Sequence, residues 1–555
     1  MARNPTQALD VAIIGAGHNG LVAAAYLAGA GLSVTLFERR AIVGGAAVTE
    51  EIAPGFRNSS ASYTVGLLHP KIVRELELTA LGLKMVVRPM QNFLPLPNGE
   101  SLSAPPSRAA MIAQVERHSR RDAARLADWY TAIGEAAAVL RELVLKTPPT
   151  DVRRWPDVWT LLQCGRGFRA LPLARQRWLH ELFTRSAGEI LDFWFENDAL
   201  KALFGFDAIV GNYASPYTPG SGYVLLHHAF GEVNGQRGVW GHAIGGMGAI
   251  TQAMARAAQR RGARIETEQS VERILVEDGR AVGIELANGR VVRARVIAAN
   301  VNPKLLYLRL VEPRHLPRDF LDGILRYRCG SATFRINVAL SELPQFSCLP
   351  AAGHGAIGTG AASFDDAGVG DHHRSGIIIA PSLQYMDRAF AEAHLHGYSR
   401  APIIELVIPS TIDDSLAPAG AHVASLFCQH FAPQLPDGRS WESARDEATA
   451  LLIDTVNQYA PNFRRAVLAH NALSPTDLEQ RFGLIGGDIF HGAMGLDQLW
   501  AARPILGYGD YRSPLRGLYL CGAGAHPGGG VTGLPGHNAA RRILKDWRAF
   551  MRRSL

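Results

Sequence analysis

Two apolar runs stand near opposite ends of the chain, and a glycine-rich turn directly follows each of them. Residues 11–14 run into the turn at 15–20, and residues 518–521 run into the turn at 522–530. An unbroken apolar run of this length predicts a strand buried on both faces. Strand, glycine turn and helix in this order direct backbone N–H groups and the positive end of a helix dipole toward an anionic ligand. The two turns therefore predict one long nucleotide held at both ends, and FAD is the candidate.

The pattern between the two turns changes along the chain. Residues 10–38 predict strand, turn, helix and strand, which is one half of a doubly wound fold. Residues 50–105 carry many prolines and predict irregular structure. Residues 107–215 carry Ala, Leu and Arg at helical spacing, which predicts a helical cap.

The second half of the chain alternates strands with turns. Asp278-Gly279 and Asn288-Gly289 are hairpin turns and predict a three-stranded antiparallel meander within 264–299. Between 330 and 480 the pattern predicts a second sheet together with one long helix. Its strands are expected at 377–380, 403–408 and 423–427, and its helix at about 440–460.

These elements predict an α/β fold with α+β parts, built around a discontinuous Rossmann-like FAD domain. An interleaved substrate domain with a mixed sheet and a helical cap completes the prediction. The FAD domain is assigned to residues 1–70, 230–300 and 485–555, the cap and substrate region to 71–229, and the substrate-binding sheet to 301–484.

Composition narrows the class of protein. The chain of 555 residues is 47% hydrophobic, which is enough for a large core, and its net charge of +7 is modest. No basic tract interleaved with aromatics suggests nucleic acid, and the five cysteines form neither a CxxC pair nor a metal-ligand spacing. No signal peptide, transit peptide or transmembrane run is seen, so we expect a cytoplasmic protein without a bound metal, with peripheral membrane contact as an alternative.

The residues after the first turn favour FAD over NAD. Glu38 ends the second strand, where its carboxylate is placed to accept hydrogen bonds from ribose hydroxyls. Arg39 adds positive charge, and Gly44, Gly45 and Ala46 let the backbone approach the pyrophosphate or the flavin a second time.

The motifs together resemble the phytoene desaturase branch of the FAD-dependent, amine-oxidase-like flavoproteins. The resemblance covers essentially the whole chain and rests on both glycine turns, Glu38, Gly44-Gly45 and the GGMG motif at 245–248. Within that branch, GGDIFHG at 486–492 and HPGGGVTG at 526–533 most resemble the pyridine nucleotide-disulfide oxidoreductase domain-containing protein 2 group. Carotenoid desaturases carry an HPGAGIPG-like motif at the latter position, so the resemblance does not extend to their substrate.

The resemblance implies which residues hold the cofactor. It assigns Gly15, Gly17 and Gly20 to the pyrophosphate, Glu38 to the ribose and the backbone of Val271 to the adenine. The flavin end is assigned to Gly522, Ala523, Val531 and Thr532. We expect the FAD to be non-covalent, because nothing singles out Cys521 or His526 as an attachment point.

Three side chains are candidates for catalysis, namely His491, Arg503 and His526, because the family places their segments near the flavin. The alternative for His526 is a structural turn residue before Pro527. Arg503 is expected to bind an acidic substrate or the flavin itself, or to form an exposed salt bridge instead.

The predicted activity is removal of hydride from an apolar or elongated organic substrate, with electrons passed to oxygen or a quinone-like acceptor. One alternative is an amine or amino-acid oxidase. Another is a flavin-bearing scaffold that regulates a partner such as a respiratory-chain component. Two basic-aromatic segments, 153–178 and 541–555, predict peripheral contact with lipid or, alternatively, ordinary cap helices with solvated arginines. The oligomeric state is left open.

Overall fold

The computed structural model describes residues 8–151, 153–349 and 368–553. Its strands, in chain order, are β1 (Leu9–Ile14), β2 (Val34–Phe37), β3 (Thr49–Ala53), β4 (Phe56–Ser59), β5 (Met85–Val87), β6 (Asn92–Pro95), β7 (Ser101–Ala104), β8 (Glu232–Val233), β9 (Gln236–Arg237), β10 (Gly241–Ala243), β11 (Arg264–Glu266), β12 (Val271–Glu277), β13 (Arg280–Leu286), β14 (Val291–Ala299), β15 (Thr333–Leu340), β16 (Gly376–Ile379), β17 (Tyr398–Val407), β18 (His422–Phe431), β19 (Val467–Leu473) and β20 (Leu518–Leu520).

The α-helices are α1 (His18–Gly29), α2 (Pro70–Glu75), α3 (Arg108–Glu116), α4 (Arg120–Leu143), α5 (Trp155–Arg169), α6 (Leu173–Thr184), α7 (Ala187–Trp194), α8 (Asp198–Ile209), α9 (Ser221–Ala229), α10 (Met247–Arg260), α11 (Pro303–Leu305), α12 (Arg318–Arg326), α13 (Leu383–His396), α14 (Trp441–Tyr459), α15 (Phe463–Ala466), α16 (Pro475–Phe482) and α17 (Leu534–Arg553). Helices α3 to α8 fill the segment in which helical spacing predicted a cap.

The first sheet brings both ends of the chain together. Its order is β11-β2-β1-β14-β13-β12, and β20 pairs with β14. Strands β11, β2, β1, β14 and β20 are parallel, whereas β12, β13 and β14 form the predicted antiparallel meander. Helices α1, α10 and α17 cover this sheet, and α1 packs against both of the others. The two glycine turns therefore follow the carboxyl ends of β1 and β20, where open α/β sheets bind their ligands.

The second sheet is mixed, as predicted, with the order β19-β15-β18-β17-β16-β6-β7. The expected strands are present as β16, β17 and β18. The expected long helix is α14, where the Ser440 hydroxyl accepts a hydrogen bond from the Ser443 N–H at the first turn. Phe334, Phe431 and Trp441 are buried between this sheet and α14.

The proline-rich segment is more regular than predicted. Strand β6 pairs in parallel with β16, and β7 forms a hairpin with β6, so both extend the second sheet. Residues 71–229 are therefore not helical throughout, because pairing with a strand far along the chain gives β6 hydrogen-bond partners that its local sequence does not reveal. The domain boundaries themselves stay a prediction.

Candidate functional site

One continuous cavity reaches from the first glycine turn to the second sheet. Residues of both glycine turns, of the segment 38–47 and of the second sheet all line it. Its nucleotide end is formed by Gly15, Gly17, His18, Glu38, Arg39, Arg40, Gln269, Val271 and Arg481, and its far end by Tyr63, Thr64, Val210, His228, Trp240, Phe427, Ile489 and Phe490.

The first glycine turn has no room for side chains. A Cβ on Gly15 would lie 3.0 Å from the Asn300 carbonyl oxygen, and Gly15 has a φ of +89°. A Cβ on Gly17 would lie 3.0 Å from the Asn300 amide nitrogen, and one on Gly20 would lie 2.3 Å from the Gly15 carbonyl oxygen. Gly15 and Gly17 line the cavity, whereas Gly20 lies behind it and lets α1 approach the turn. The backbone at the start of α1 is thus free to meet an anion closely.

Glu38 is held in place by the backbone. Its carboxylate accepts hydrogen bonds from the Ala16 N–H at 2.8 Å and from the Arg40 N–H at 3.0 Å. The side chain is buried yet contributes to the cavity wall, as a ribose-binding carboxylate must. Arg39 lines the cavity too, and its guanidinium donates to the Gln480 carbonyl oxygen at 2.9 Å.

The segment predicted to approach the cofactor a second time lies in the cavity wall. Gly44, Gly45 and Ala46 line the cavity, and the Gly44 N–H donates to the Ala16 carbonyl at 2.9 Å. Gly44 has a φ of +125°, and a Cβ there would lie 2.7 Å from the Ala47 carbonyl oxygen. Val271, at the start of β12, also lines the nucleotide end.

The second turn contributes two of its four predicted residues to the wall. Ala523 and Val531 line the cavity, whereas Gly522 and Thr532 lie behind it. A Cβ on Gly522 would lie 3.0 Å from the Asn300 Oδ1 atom, and the Thr532 hydroxyl accepts a hydrogen bond from the Leu534 N–H. Helix α17 accordingly begins at Leu534.

Asn300 is the residue on which the two turns converge, and sequence reasoning missed it. It directly follows β14, which lies between β1 and β20, and it lines the cavity. Its amide donates to the Gly15 carbonyl at 3.3 Å. The sequence signal that could have found Asn300 was its place at the carboxyl end of β14, which lies between the two strands that lead into the glycine turns, but no motif marks it.

Three polar atoms of the wall have no hydrogen-bond partner within the part of the chain that the structure describes. They are Asn19 Oδ1, Arg40 Nη1 and His491 Nδ1. Buried polar atoms are otherwise almost always paired, so these atoms fit a large polar ligand. Together with the side-chain-free backbone at Gly15 and Gly17, they fit the pyrophosphate and the polar ring edge of FAD.

Of the three catalytic candidates, only His491 lines the cavity. It adopts a φ of +58°, which non-glycine residues rarely do. Burial, together with the charges of His18 and Arg503, lowers the pKa of His491 to about 3. The imidazole is therefore neutral near pH 7, and its Nδ1 atom is available for a hydrogen bond to a ligand.

Arg503 corrects one expectation. The prediction of an exposed salt bridge is wrong, because Arg503 is completely buried and its guanidinium donates only to main-chain carbonyls in the described residues. It lies outside the cavity wall and ties the segment 490–498 to Ala523 of the second turn.

His526 also lies behind the cavity wall. One of its ring nitrogens is 3.2 Å from the Leu143 carbonyl oxygen, and its ring meets Trp500 edge to face at 4.7 Å. Burial lowers the pKa of His526 to about 3, so its ring is neutral near pH 7. These contacts agree with the alternative interpretation of His526 as a structural turn residue before Pro527.

The far end of the cavity is aromatic and was not predicted residue by residue. Tyr63 follows β4, Trp240 precedes β10, Phe427 lies on β18 and Phe490 follows α16. The Tyr63 and Phe427 rings stack at 5.2 Å. These side chains come from four distant segments, so no local pattern joins them.

Comparison with known proteins assigns the family. Residues 20–334 match the model of the flavin containing amine oxidoreductases, which is more than half of the chain. The chain belongs to this family. It is an FAD-dependent oxidoreductase, and the cofactor predicted from the two glycine turns is confirmed.

Two curated relatives confirm the resemblance drawn from the motifs. The chain is 40% identical to pyridine nucleotide-disulfide oxidoreductase domain-containing protein 2 of Rattus norvegicus, over 97% of this chain and 93% of that protein. It is 24% identical to a lycopene-forming phytoene desaturase of Pseudescherichia vulneris, over 94% of this chain and 96% of the relative.

A solved structure shares the fold. Cyclohexylamine oxidase from Brevibacterium oxydans superimposes with a TM-score of 0.58 at 17% identity, over 98% of this chain and all of the other. The predicted α/β flavoprotein fold is thereby confirmed. Within the described residues, no helix has the length and apolar character that crossing a membrane requires.

Proposed function

We propose that this flavoprotein oxidises an apolar or elongated organic substrate by removing hydride, which leaves a C=C or C=X bond. Oxygen or a quinone-like compound is the final electron acceptor. The observation that carries the proposal is the continuity of the cavity from the nucleotide cradle to an aromatic end that includes Tyr63, Trp240, Phe427 and Phe490. Such a wall excludes water and matches a substrate with little polar surface.

FAD supplies a two-electron acceptor for hydride when it is bound. The chain's own residues hold and orient it: Gly15 and Gly17 present the backbone to the pyrophosphate, and Glu38 presents a carboxylate to the ribose. His491 contributes an uncharged imidazole with an unpaired Nδ1 to the wall between the two ends. These four residues are accordingly proposed as cofactor and substrate contacts, and Arg503 and His526 as supports of the surrounding loops.

The decisive experiment is anaerobic bleaching of the bound flavin. The purified holoprotein is mixed with fractionated cell lipids and metabolites, and absorbance near the flavin maximum is followed while products are identified by mass spectrometry. Bleaching by a lipophilic fraction, with a product lighter by two hydrogens, supports the proposal. Protein that stays colourless after supplementation with FAD overturns it.

The same fractions, together with simple amines and amino acids, are also tested in air to separate the alternatives. Peroxide release with simple amines or amino acids supports an oxidase of that class. A flavin that no fraction reduces favours a scaffold that regulates a partner, such as a respiratory-chain component. That partner stays a prediction.

We also propose that α5 contacts an anionic lipid surface. None of its fifteen residues is buried, and Trp155 and Trp159 are 81% and 53% exposed. Arg166 and Arg169 lie in its last turn, so apolar and cationic groups share the helix. The other predicted segment differs, because α17 packs its apolar side chains against α1. The last residues of that segment, 554 and 555, lie outside the described chain.

A vesicle flotation assay tests this contact. The protein with Trp155→Ser and Trp159→Ser is compared with a Leu506→Ser control, since Leu506 is 72% exposed but lies far along the chain from α5. The unaltered and control proteins are expected to float with vesicles of phosphatidylcholine and phosphatidylglycerol, and the double variant to remain at the bottom. Equal flotation of all three contradicts the proposal.

A further inference from the structure

A buried cluster of charges lies directly behind the aromatic end of the cavity. It consists of Arg88, Arg335, Glu405 and Tyr63, and is called here the Arg335 cluster. The Arg335 guanidinium stacks on the Tyr63 ring with its Cζ 4.4 Å from the centroid, and it lies 5.6 Å from the centroid of Phe427. Both rings line the cavity, so the cation is separated from the cavity by one layer of side chains.

Arg335 lacks the partners that a buried cation requires. It lies on β15 with 0% exposure, and its only hydrogen bond in the described chain is from Nη2 to the Ser425 hydroxyl. Nε and Nη1 have no hydrogen-bond partner there, and no carboxylate of the described residues lies within ion-pair distance of the guanidinium. A buried charge without an ion-pair partner is costly, and an anionic ligand nearby would offset part of that cost.

The second arginine, Arg88, lies beside the one carboxylate of the cluster. Arg88 is 4% exposed, and its Nη1 atom lies 3.6 Å from the Glu405 carboxylate. Its Nη2 atom donates to the hydroxyl of Thr64 at 2.7 Å, and Thr64 lines the cavity. Glu405 also accepts a hydrogen bond from the Tyr63 hydroxyl. Two guanidinium groups against one carboxylate leave one positive charge in excess.

One further buried acid near Glu405 removes only part of that excess. Asp207, on α8, is buried close enough to feel the charge of Glu405. Burial and that charge raise the pKa of Asp207 to about 7, so it is only partly ionised at neutral pH. The cluster therefore presents net positive charge to the far end of the cavity.

We propose that the substrate carries a carboxylate, which lies at the Tyr63–Thr64 corner while its apolar part occupies the aromatic end. This inference rests on the proposed function and specifies its substrate class. A single excess charge matches a monoanion, whereas a phosphate monoester carries nearly two charges at pH 7. Arg335 and Arg88 attract the carboxylate through the wall and thereby set which end of the substrate enters first.

The test uses the holoprotein and four probes of one chain length: decanoate, decanol, decylamine and decyl phosphate. Binding is measured from the perturbation of the flavin absorbance and by calorimetry, so no turnover is required. Decanoate is expected to bind at least about tenfold more tightly than decanol, because a unit charge on the far side of one layer of side chains, roughly 7 Å away, contributes at least this much in a protein interior. Stronger binding of decyl phosphate than of decanoate would assign the corner to phosphates and overturn the proposal.

Substitutions in the Arg335 cluster test whether its positive charge causes the preference for a carboxylate. Arg335→Met and Arg88→Met are each expected to reduce the preference for decanoate over decanol severalfold. Glu405→Gln is expected to increase it, since it removes the opposing charge. Arg400→Met is the control, because Arg400 lies on the same sheet but is exposed. Equal binding of decanoate and decanol, or a preference that survives in both arginine variants, overturns the proposal.

Thermal unfolding distinguishes a binding role for Arg335 from a structural one. If the unpaired guanidinium exists for a ligand, Arg335→Met leaves the melting temperature of the ligand-free protein unchanged or raises it. A large fall in the melting temperature indicates that Arg335 is structural and overturns its proposed role in binding. Arg88→Met and Glu405→Gln then still test whether the charge of the cluster determines the preference for a carboxylate. A protein without flavin refutes the proposed function, whereas a flavoprotein indifferent to carboxylates refutes only this inference.

Discussion

Substitution of Arg503 by methionine tests whether this side chain supports the fold or takes part in chemistry. The guanidinium is completely buried and donates to the carbonyls of Phe490 at 2.7 Å, Ala523 at 2.9 Å and Gln498 at 3.2 Å. It therefore joins the segment that carries His491 to the second glycine turn. Methionine fills a similar volume but leaves these carbonyls without donors.

The expected cost follows from the bonds that are lost. Three carbonyls lie within 3.2 Å of the guanidinium, and each hydrogen bond to a charged group contributes about 1.5–3 kcal/mol. The simple sum is about 4.5–9 kcal/mol, and removal of the charge, relaxation and entering water return part of it. We expect Arg503→Met to lower the free energy of unfolding by about 4 kcal/mol, a typical cost of breaking a buried charged network.

The assay is urea unfolding of the holoprotein, followed by tryptophan fluorescence and by flavin absorbance in the same sample. Both transitions are expected to move to lower urea together, because Ala523 lines the cofactor cavity. Arg400→Met is again the control, since an exposed pair such as Arg400 with Glu447 contributes at most about 1 kcal/mol. A variant that stays as stable as this control, keeps its flavin and loses only turnover would refute the structural role.

Two further substitutions test other parts of the molecule. Gly20→Ala places a Cβ 2.3 Å from the Gly15 carbonyl oxygen and is expected to abolish retention of FAD on gel filtration. The control Gly134→Ala, whose Cβ meets nothing within 4 Å, is expected to retain FAD. Equal retention of FAD by both variants would contradict the reasoning. Burial alone would raise the pKa of Asp413, but hydrogen bonds led by that from His242 outweigh it and lower the pKa from 3.8 to about 2. The resulting stabilisation is complete above the pKa of Asp413 in the unfolded chain and is lost as the pH falls from about 4 to 2. Asp413→Asn is therefore expected to remove about 2 kcal/mol of this acid-dependent stability, measured by urea unfolding at a series of pH values. A variant whose stability falls between pH 4 and pH 2 as steeply as that of the unaltered protein would exclude this assignment.

The parts of the molecule that could be predicted from sequence are those made of contiguous residues. The first strand, glycine turn and helix follow one another within residues 9–29, and their physical requirements are local. The meander formed by β12, β13 and β14 was predictable for the same reason, because Asp278-Gly279 adopts the positive φ values that its hairpin turn needs. Glu38 is likewise a fixed short distance from the turn it serves.

The remaining parts depend on contacts between distant segments. Strand β6 joins the second sheet by pairing with β16, almost 300 residues further on, and nothing near Asn92 indicates this. Asn300 serves both glycine turns only because β14 lies between β1 and β20. Arg503 carries the same charge in any environment, and only the fold decides that carbonyls rather than a substrate surround it.

The two ends of the cavity therefore depend on different features of the chain. At the nucleotide end the glycine turns present backbone donors, which are the same for any sequence that retains these glycines. The far end is a wall of side chains such as Tyr63 and Phe427 over a pair of buried arginines, and a single substitution there changes its shape or charge. The side chains behind the aromatic wall, rather than the glycine motifs, are consequently the residues from which the substrate must be inferred.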